Sequence, residues 1–437
     1  MKQAVILAGG KGTRLAERLG GRPKPLVEIG GQPLLGRQLE ALAGQGIENV
    51  LLLVNHRAED IAAFVETLDL PLTVTLRDDG NPRGTAGALF AAFDALERRF
   101  LVVYGDTLFD IDVRAMVRNH DRTGADLTLL VHPNDHPADS DLVELDGADR
   151  VLALRGYPHP PGADLDNLVN AAFYICNRDA LAPWRETPAP FDFAKDLFPD
   201  MVAAGAHLQG YRSFEYIKDI GTPSRLDRAA RHLAEGRVAR ARRSASQVAV
   251  FLDRDGTINE LVGHIADPDQ IRLIPGAGRA IAALNAAEFR VVIATNQPVL
   301  ARGDCDEAGL RRIHGRLQTL LGEDGAFVDM IVFCPHHPDA GFPGEVASLK
   351  RVCECRKPGV GLITEAARSL NIDLSRSWFV GDTTSDMAAA SAAGLRSVLV
   401  LTGEAGRDGK CVARPDYTVA DLAAAVALIE ADRKDRR

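Results

Sequence analysis

The chain has 437 residues, enough for two or three domains at about 150 residues each. Lys and Arg number 51 against 60 Asp and Glu, and the net charge of −9 argues against a protein built to neutralise a phosphate backbone. The 46% hydrophobic and 25% charged fractions fit an ordinary globular protein, and no apolar run reaches the roughly 18 residues of a membrane span. The first apolar run, residues 4–8, is too short for a signal peptide, so a soluble, cytoplasmic location is expected. Six cysteines do not make a disulfide scaffold; three fall between 334 and 355, which suggests a metal.

In chain order, short apolar runs alternate with amphipathic stretches, the pattern of α/β architecture. Residues 4–7, 49–54, 72–76 and 100–104 read as buried strands, with helices at 34–42, 58–65 and 86–95. From 126 to 175, Pro133, Pro137, Pro158, Pro160 and Pro161 break any helix and leave strand-like pieces at 127–131 and 171–175. Residues 225–247 carry seven arginines without interleaved aromatics, which reads as a solvated terminal helix and linker rather than a nucleic-acid surface. The α/β pattern then restarts, with strands at 248–252, 290–294, 330–333, 377–380 and 397–401 and helices at 277–287, 306–321, 359–370 and 385–393. Neither half repeats the other. Two different three-layer α/β domains, 1–235 and 248–437, joined by a linker at 236–247, are therefore expected.

The first strand runs into Gly9-Gly10-Lys11-Gly12-Thr13-Arg14, a turn whose backbone N–H groups can cradle phosphate oxygens. It lacks the Walker A spacing, and Leu15 stands where a dinucleotide fingerprint needs its third glycine. Lys24 lies between Pro23 and Pro25, which stiffen the backbone and fix its charge in space. Gly84-Thr85-Ala86-Gly87 opens a helix with small residues that let a flat base approach. Asp106 lies just past the strand at 100–104, where open sheets hold ligands and a carboxylate suits a divalent cation. Asp219, leading Ile220-Gly221-Thr222-Pro223, supplies a second carboxylate.

Taken in order over residues 1–226, these five motifs resemble the nucleotidyltransferases that join a sugar 1-phosphate to an NTP. The resemblance implies a Rossmann-like domain in which Gly9, Gly10, Gly12, Thr13 and Arg14 hold the NTP phosphates. It implies that Lys24 acts with Arg14 at the reacting phosphates, that Gly84 and Thr85 border the base, and that Asp106 and Asp219 hold Mg²⁺. The sugar phosphate oxygen would attack the α-phosphorus in line and expel pyrophosphate, with positioning and charge neutralisation carrying catalysis. Asn170 would contact the sugar. The chain departs from the family at Arg155-Gly156-Tyr157-Pro158, in place of Glu-Lys-Pro, and at Asn170-Ala171-Ala172, in place of Asn-Ala-Gly.

The strand at 248–252 leads into Asp253-Arg254-Asp255-Gly256-Thr257-Ile258-Asn259. Two aspartates split by one residue can aim one carboxylate at a phosphorus and the other at a leaving oxygen. Their repulsion should raise one of the two pKa values, which favours an acid role. Thr295-Asn296-Gln297 ends the next strand, Lys357-Pro358 begins a helix, and Gly381-Asp382 ends a later strand, with Asp386 close behind. These strand ends resemble the haloacid dehalogenase superfamily of phosphatases over residues 248–437. The resemblance implies Asp253 as the nucleophile and Asp255 as acid and then base. It also implies Thr295 and Lys357 as phosphoryl-binding groups, and Mg²⁺ on Asp253, Asp382 and the backbone carbonyl of Asp255. Asp386 would support Lys357.

Cys334-x-His336 and Cys353-x-Cys355 offer three thiolates and an imidazole, a closed tetrahedral set suited to one structural Zn²⁺. That zinc loop, with Asp253 to Asn259, narrows the resemblance to heptose bisphosphate phosphatases and their relatives, the histidinol-phosphate phosphatases. Asn259, Asn296 and Arg356 match substrate contacts of that group. The loop after Gln297 departs from it, with Pro298-Val299 where Ser-Gly is usual. A phosphatase releasing heptose 1-phosphate and a transferase consuming a sugar 1-phosphate are consecutive steps. A bifunctional enzyme making an NDP-heptose, with GTP as donor by resemblance, is therefore expected. Two alternatives stay open: a transferase for another sugar, and a phosphatase regulated by a catalytically silent NTP- or sugar-binding domain. Small-molecule substrates are implied, and no nucleic acid or membrane.

Overall fold

The computed structural model describes residues 1–10, 12–78, 82–160 and 162–435; Lys11 and Pro161 lie outside the described residues. The chain forms two compact α/β units. Met1–His132, Asp141–Gly156 and Val169–Arg243 make the first; Pro133–Ser140, Tyr157–Leu168 and Ser244–Arg437 make the second.

In the first unit, Gln3–Leu7 (β1), Asn49–Val54 (β2), Thr73–Asp78 (β3) and Arg99–Tyr104 (β4) run parallel in the order β3-β2-β1-β4. The near-continuous burial of β1, β2 and β4 is what a parallel sheet covered on both faces requires. Leu7 is in register with Tyr104, so the glycine turn after β1 and Asp106 after β4 leave the sheet at one edge. Two short strands that alternation did not reveal, Thr107–Asp110 (β5) and Tyr216–Asp219 (β6), form an antiparallel ribbon pairing Asp219 with Thr107. Ile220 N donates to Asp106 O at 2.9 Å, so the ribbon sets the two carboxylate-bearing residues side by side.

The antiparallel strand Val169–Asn177 flanks β4, and the register of its pairing with Leu127–His132 shifts between Asn170 and Tyr174. Within that irregularity Ala172 has φ 55°, the left-handed conformation that glycine adopts freely. The alanine holds a conformation that costs it strain and would suit the glycine of Asn-Ala-Gly. Ala172→Gly should stabilise the first unit by about 1 kcal/mol. Urea unfolding of the variant beside the parent measures it, and an unchanged or lower midpoint would contradict it.

The second unit is built on a six-stranded sheet with only parallel pairings. Its strands are Ala249–Leu252 (β7), Arg290–Asn296 (β8), Met330–Cys334 (β9), Trp378–Gly381 (β10), Arg396–Val400 (β11) and Tyr417–Val419 (β12), ordered β9-β8-β7-β10-β11-β12. With β7 between β8 and β10, Asp253, Thr295 and Asp382 all stand at the carboxyl ends of three adjacent strands. The helix expected to begin at 359 starts later, as Gly361–Leu370. Gly359 and Gly361 turn back on the carbonyls of Arg356 and Glu354, so Lys357 lies in a loop.

Two segments from the proline-rich region complete this unit along the helix Glu307–Glu323 (α1). Gln318 donates to Asp166 at 2.9 Å and accepts from Asn167 N at 3.2 Å. A Cβ on Gly315 would lie 3.1 Å from Asp164 O, and one on Gly322 would lie 2.6 Å from the Pro137 ring. Two glycines seven residues apart thus clear one face of α1 for the segments to lie against.

The arginine run is solvated in part, with Arg231 and Arg240 exposed, but other members are engaged. Arg225 binds Asp219, Arg242 binds Asp110, and Arg243 lies over the rings of Tyr211 and Phe214. No helix among the described residues is long and apolar enough to cross a membrane.

Candidate active sites and metal centre

In the first unit Gly12 has φ 63°, and a Cβ there would lie 3.1 Å from the Lys24 Cβ, so the glycine turn packs directly on the lysine. Lys24 Nζ reaches Asp106 Oδ2 at 2.5 Å. A Cβ placed on Gly221 would lie 3.0 Å from Asp219 Oδ1, 3.2 Å from Arg14 Nη2 and 3.6 Å from Lys24 Nζ. Arg14, Lys24, Asp106 and Asp219 therefore converge. Burial would raise the Asp219 carboxyl, but Arg225, the Gly221 N–H and Lys24 hold it below the usual range. Arg225 Nη1 donates to both Asp219 oxygens at 2.9 and 3.0 Å. Its position follows from the local sequence: Thr222 caps the helix Pro223–Ala234 and accepts from Arg225 N. Asp106 and Asp219 offer hard oxygens of the kind Mg²⁺ takes, and here Lys24 and Arg225 hold them.

Gly84 and Thr85 are locked to a segment that the sequence did not flag. Gly84 has φ 75°, and a Cβ there would lie 2.6 Å from Phe191 O. Asp192 Oδ1 accepts from both the N–H and the hydroxyl of Thr85 at 2.9 Å, while Ala86 and Gly87 donate to Phe191 O. Those N–H groups are thus turned inward. Gly9 packs on Asn55, a Cβ on Gly10 would meet open space, and Thr13 begins the short turn Thr13–Leu15. Asn170 Oδ1 accepts from Ala172 N at 3.3 Å, bracing the strained residue.

In the second unit Asp253, Asp382 and Asp386 are buried with their carboxylates within 4.8 Å of one another. Lys357 Nζ lies 2.8 Å from Asp253 Oδ1 and 2.6 Å from Asp386 Oδ1. The other Asp386 oxygen accepts from Thr383 N and Oγ1, so that carboxylate is held between the helix start and the Lys357 ion pair as a support. Asp382 is different. Its Oδ2 accepts from Glu404 N at 2.8 Å, but its buried Oδ1 has no hydrogen-bond partner. A Cβ on Gly256 or on Gly403 would strike the Asp382 carboxylate, so the two glycines leave it a cradle. Burial and mutual repulsion push Asp253 up to about 6 and Asp382 up to about 8. An orphaned buried carboxylate oxygen beside a second raised carboxyl fits a divalent cation, which would reverse both shifts.

The raised pKa therefore falls on Asp253 rather than on Asp255. Burial pushes Asp255 up as well, but the fully buried Arg254 outweighs it and holds the carboxyl below its ordinary value. Arg254 Nε and Nη2, Asn259 Nδ2 and Gln297 Nε2 donate to the two Asp255 oxygens at 2.8–3.0 Å. Nothing in the sequence singles out Arg254, since a fully buried arginine is rare. Thr295 is buried at the end of β8. Both ends of the Asn296 amide bind the Lys357 backbone, at 3.0 and 3.2 Å, which places it as a brace for Lys357. Arg356 Nη1 donates to His336 O at 3.1 Å.

The four predicted metal ligands do converge. Cys334, Cys353 and Cys355 have Sγ···Sγ separations of 3.2–3.5 Å, and His336 Nδ1 lies 3.3 Å from Cys355 Sγ and 3.7 Å from Cys334 Sγ. The sulfurs are too far apart for disulfides, and all six cysteines of the chain are free. Ligands on a tetrahedral Zn²⁺ would stand about 3.8 Å apart for sulfur pairs and about 3.5 Å for sulfur and nitrogen. The soft donor set fits that ion. His337 accepts from Asp339 N and takes no part.

Comparison with known proteins matches the nucleotidyl transferase family over residues 3–236 and the HAD-hydrolase-like family over residues 354–425. The D-glycero-beta-D-manno-heptose-1,7-bisphosphate 7-phosphatase of Pseudomonas aeruginosa is 39% identical over 186 residues, which are 42% of this chain and 98% of that protein. The enzyme of the same name from Rhodopseudomonas palustris is 41% identical over 34% of this chain and 79% of that protein. Among solved structures, HddC from Yersinia pseudotuberculosis aligns with 26% identity and TM-score 0.46, over 53% of this chain and 100% of its own.

Proposed function

The chain belongs to the nucleotidyl transferase family and to the family of D-glycero-beta-D-manno-heptose-1,7-bisphosphate 7-phosphatases, and from that premise we propose a bifunctional, cytoplasmic enzyme that makes an NDP-heptose. The 7-phosphate of heptose 1,7-bisphosphate is removed first, and the surviving anomeric 1-phosphate then attacks an NTP. The observation that carries this reading is chemical continuity within one chain. A phosphatase relative is matched along 98% of its length, and its product is the acceptor class that a sugar nucleotidyltransferase uses.

In the phosphatase, Asp253 attacks the phosphorus while Asp255 gives a proton to the leaving alkoxide. Asp255 then takes a proton from the water that cleaves the aspartyl phosphate. Lys357 and Thr295 hold the transferring oxygens. Asp253, Asp382 and the Asp255 carbonyl hold Mg²⁺, which would supply charge neutralisation when bound. Cys334, His336, Cys353 and Cys355 hold one Zn²⁺. In the transferase, the Gly9–Thr13 turn and Arg14 hold the triphosphate, and Lys24 balances charge on the reacting phosphates. Asp106 and Asp219 hold Mg²⁺, Gly84 and Thr85 border the base, and Asn170 meets the sugar. GTP is the proposed donor and a GDP-heptose the product.

The silent-domain alternative is disfavoured by the cluster of Arg14, Lys24, Asp106 and Asp219, which has no structural task that demands four converging charges. Incubation with Mg²⁺, heptose 1,7-bisphosphate and each NTP in turn should release one phosphate and one pyrophosphate per NDP-heptose, with GTP the best donor. Phosphate without pyrophosphate under every NTP, even with heptose 1-phosphate supplied, would favour the silent domain. Equal turnover of histidinol phosphate would sink the heptose assignment.

A further inference from the structure

We propose that Gln297 is a positioning residue of the phosphatase, fixing the acid–base carboxylate and the phosphoryl-binding hydroxyl through one side-chain amide. The inference rests on the phosphatase reading above. Gln297 is 2% exposed, and its Nε2 donates to Asp255 Oδ2 and to Thr295 Oγ1, each at 2.9 Å. Its Oε1 accepts from Arg254 Nη2 at 3.0 Å. The amide thus touches Asp255, Thr295 and Arg254 together. Its own backbone is anchored, because Gln297 N donates to the carbonyl of Cys334 at 2.8 Å. The Cys/His cluster thus braces Gln297 as well as standing two residues before Lys357.

Two consequences follow from the hydrogen-bond directions. A hydroxyl has one proton, so when Thr295 Oγ1 accepts from Gln297 its O–H is left to point at a phosphoryl oxygen. Every group in the cage around Asp255 donates, so the cage favours the carboxylate and keeps Asp255 ionised in the free site. The dianionic substrate favours its protonation on binding, and the cage then stabilises the anion that forms as the proton leaves for the substrate oxygen. In that step the Asp253 oxygen forms a bond to phosphorus, the phosphorus–alkoxide bond breaks, and the Asp255 proton goes to the departing oxygen. The second step returns the balance. Water loses a proton to Asp255, its oxygen bonds to phosphorus, and the Asp253–phosphorus bond breaks to release phosphate.

The test uses leaving groups. An alkoxide from a primary alcohol needs the proton, whereas p-nitrophenolate leaves without one. Gln297→Leu in the full chain should lower kcat/KM by about 100-fold on an alkyl ester, at the low end of general acid catalysis, and by less than about 10-fold on p-nitrophenyl phosphate. The alkyl ester is heptose 1,7-bisphosphate or, if that is not turned over, histidinol phosphate. Gln297→Glu keeps the shape and the bond to Arg254 but sets an oxygen against Asp255, so it should show the same inequality if the leucine variant folds poorly. Equal losses on both substrates, or no loss on either, would overturn the proposal and leave the phosphatase reading standing. A wild-type protein inactive on all of these esters would overturn both.

Discussion

Asp253→Asn should abolish phosphate release, by about 10⁴-fold or more, while leaving nucleotidyl transfer from supplied heptose 1-phosphate unchanged. An amide is a poor nucleophile for phosphorus, and the substitution also removes one of the two carboxylates proposed to hold the divalent cation. The fold should survive. Lys357 keeps Asp386 at 2.6 Å, and the amide matches the carboxylate in shape, so no buried cation is stranded. Asp106→Asn should do the reverse, stopping pyrophosphate release while phosphate release continues, because Asp106 stands past the carboxyl end of β4 in the first unit, beside Lys24. Separate phosphate and pyrophosphate assays on each variant, with circular dichroism to check folding, decide the matter. If either single change halted both reactions in a folded protein, the model of two independent sites would be wrong.

Much of this arrangement was legible in the sequence, for a physical reason. Parallel strands covered on both faces are continuous apolar runs, so 49–54 coincides with Asn49–Val54, and the acidic or glycine-rich turns after β1, β4, β7 and β10 mark the strand ends that carry chemistry. What escaped depended on partners remote in sequence. The ribbon of Thr107–Asp110 and Tyr216–Asp219 is too short to show alternation, and each strand acquires meaning only beside the other. Asp192 reads as one acidic residue among many until its oxygen is found capping Thr85. Arg225 looked like one of several solvated charges, although its place in the first helical turn after Thr222 aims it back at Asp219.

The pairing of Asp253 with Asp255 shows the same limit from the electrostatic side. Spacing alone says that two close carboxylates repel, but it does not say which one is relieved. Arg254, the residue between them, turns inward with no exposure and neutralises Asp255, so the strain of burial collects on Asp253 and Asp382 instead. A residue type that is almost always exposed decides the matter, and no periodicity announces it.

Removal of metal from the Cys/His cluster should disable the phosphatase and destabilise the second unit without harming nucleotidyl transfer. The purified protein should hold about one zinc per chain. Three thiols and an imidazole held 3.2–3.7 Å apart have little reason to stay together without a shared cation, and burial pushes the Cys334 thiol up in its absence. Structural zinc sites contribute apparent binding energies of about 10–16 kcal/mol to folding in small domains, so a chelator should lower the thermal midpoint of the second unit well beyond the effect of a surface mutation. Activity should fall alongside it. The cluster anchors Gln297 through Cys334 O and ends two residues before Lys357, whose ammonium bridges Asp253 and Asp386. Cys355→Ser should reproduce the chelator's effect, since the loss of one thiolate opens the tetrahedron, and added zinc should restore the chelated parent but not the variant. Elemental analysis finding no zinc in protein purified without chelator would remove the metal from this account, and full phosphatase activity in Cys355→Ser would remove its link to Lys357.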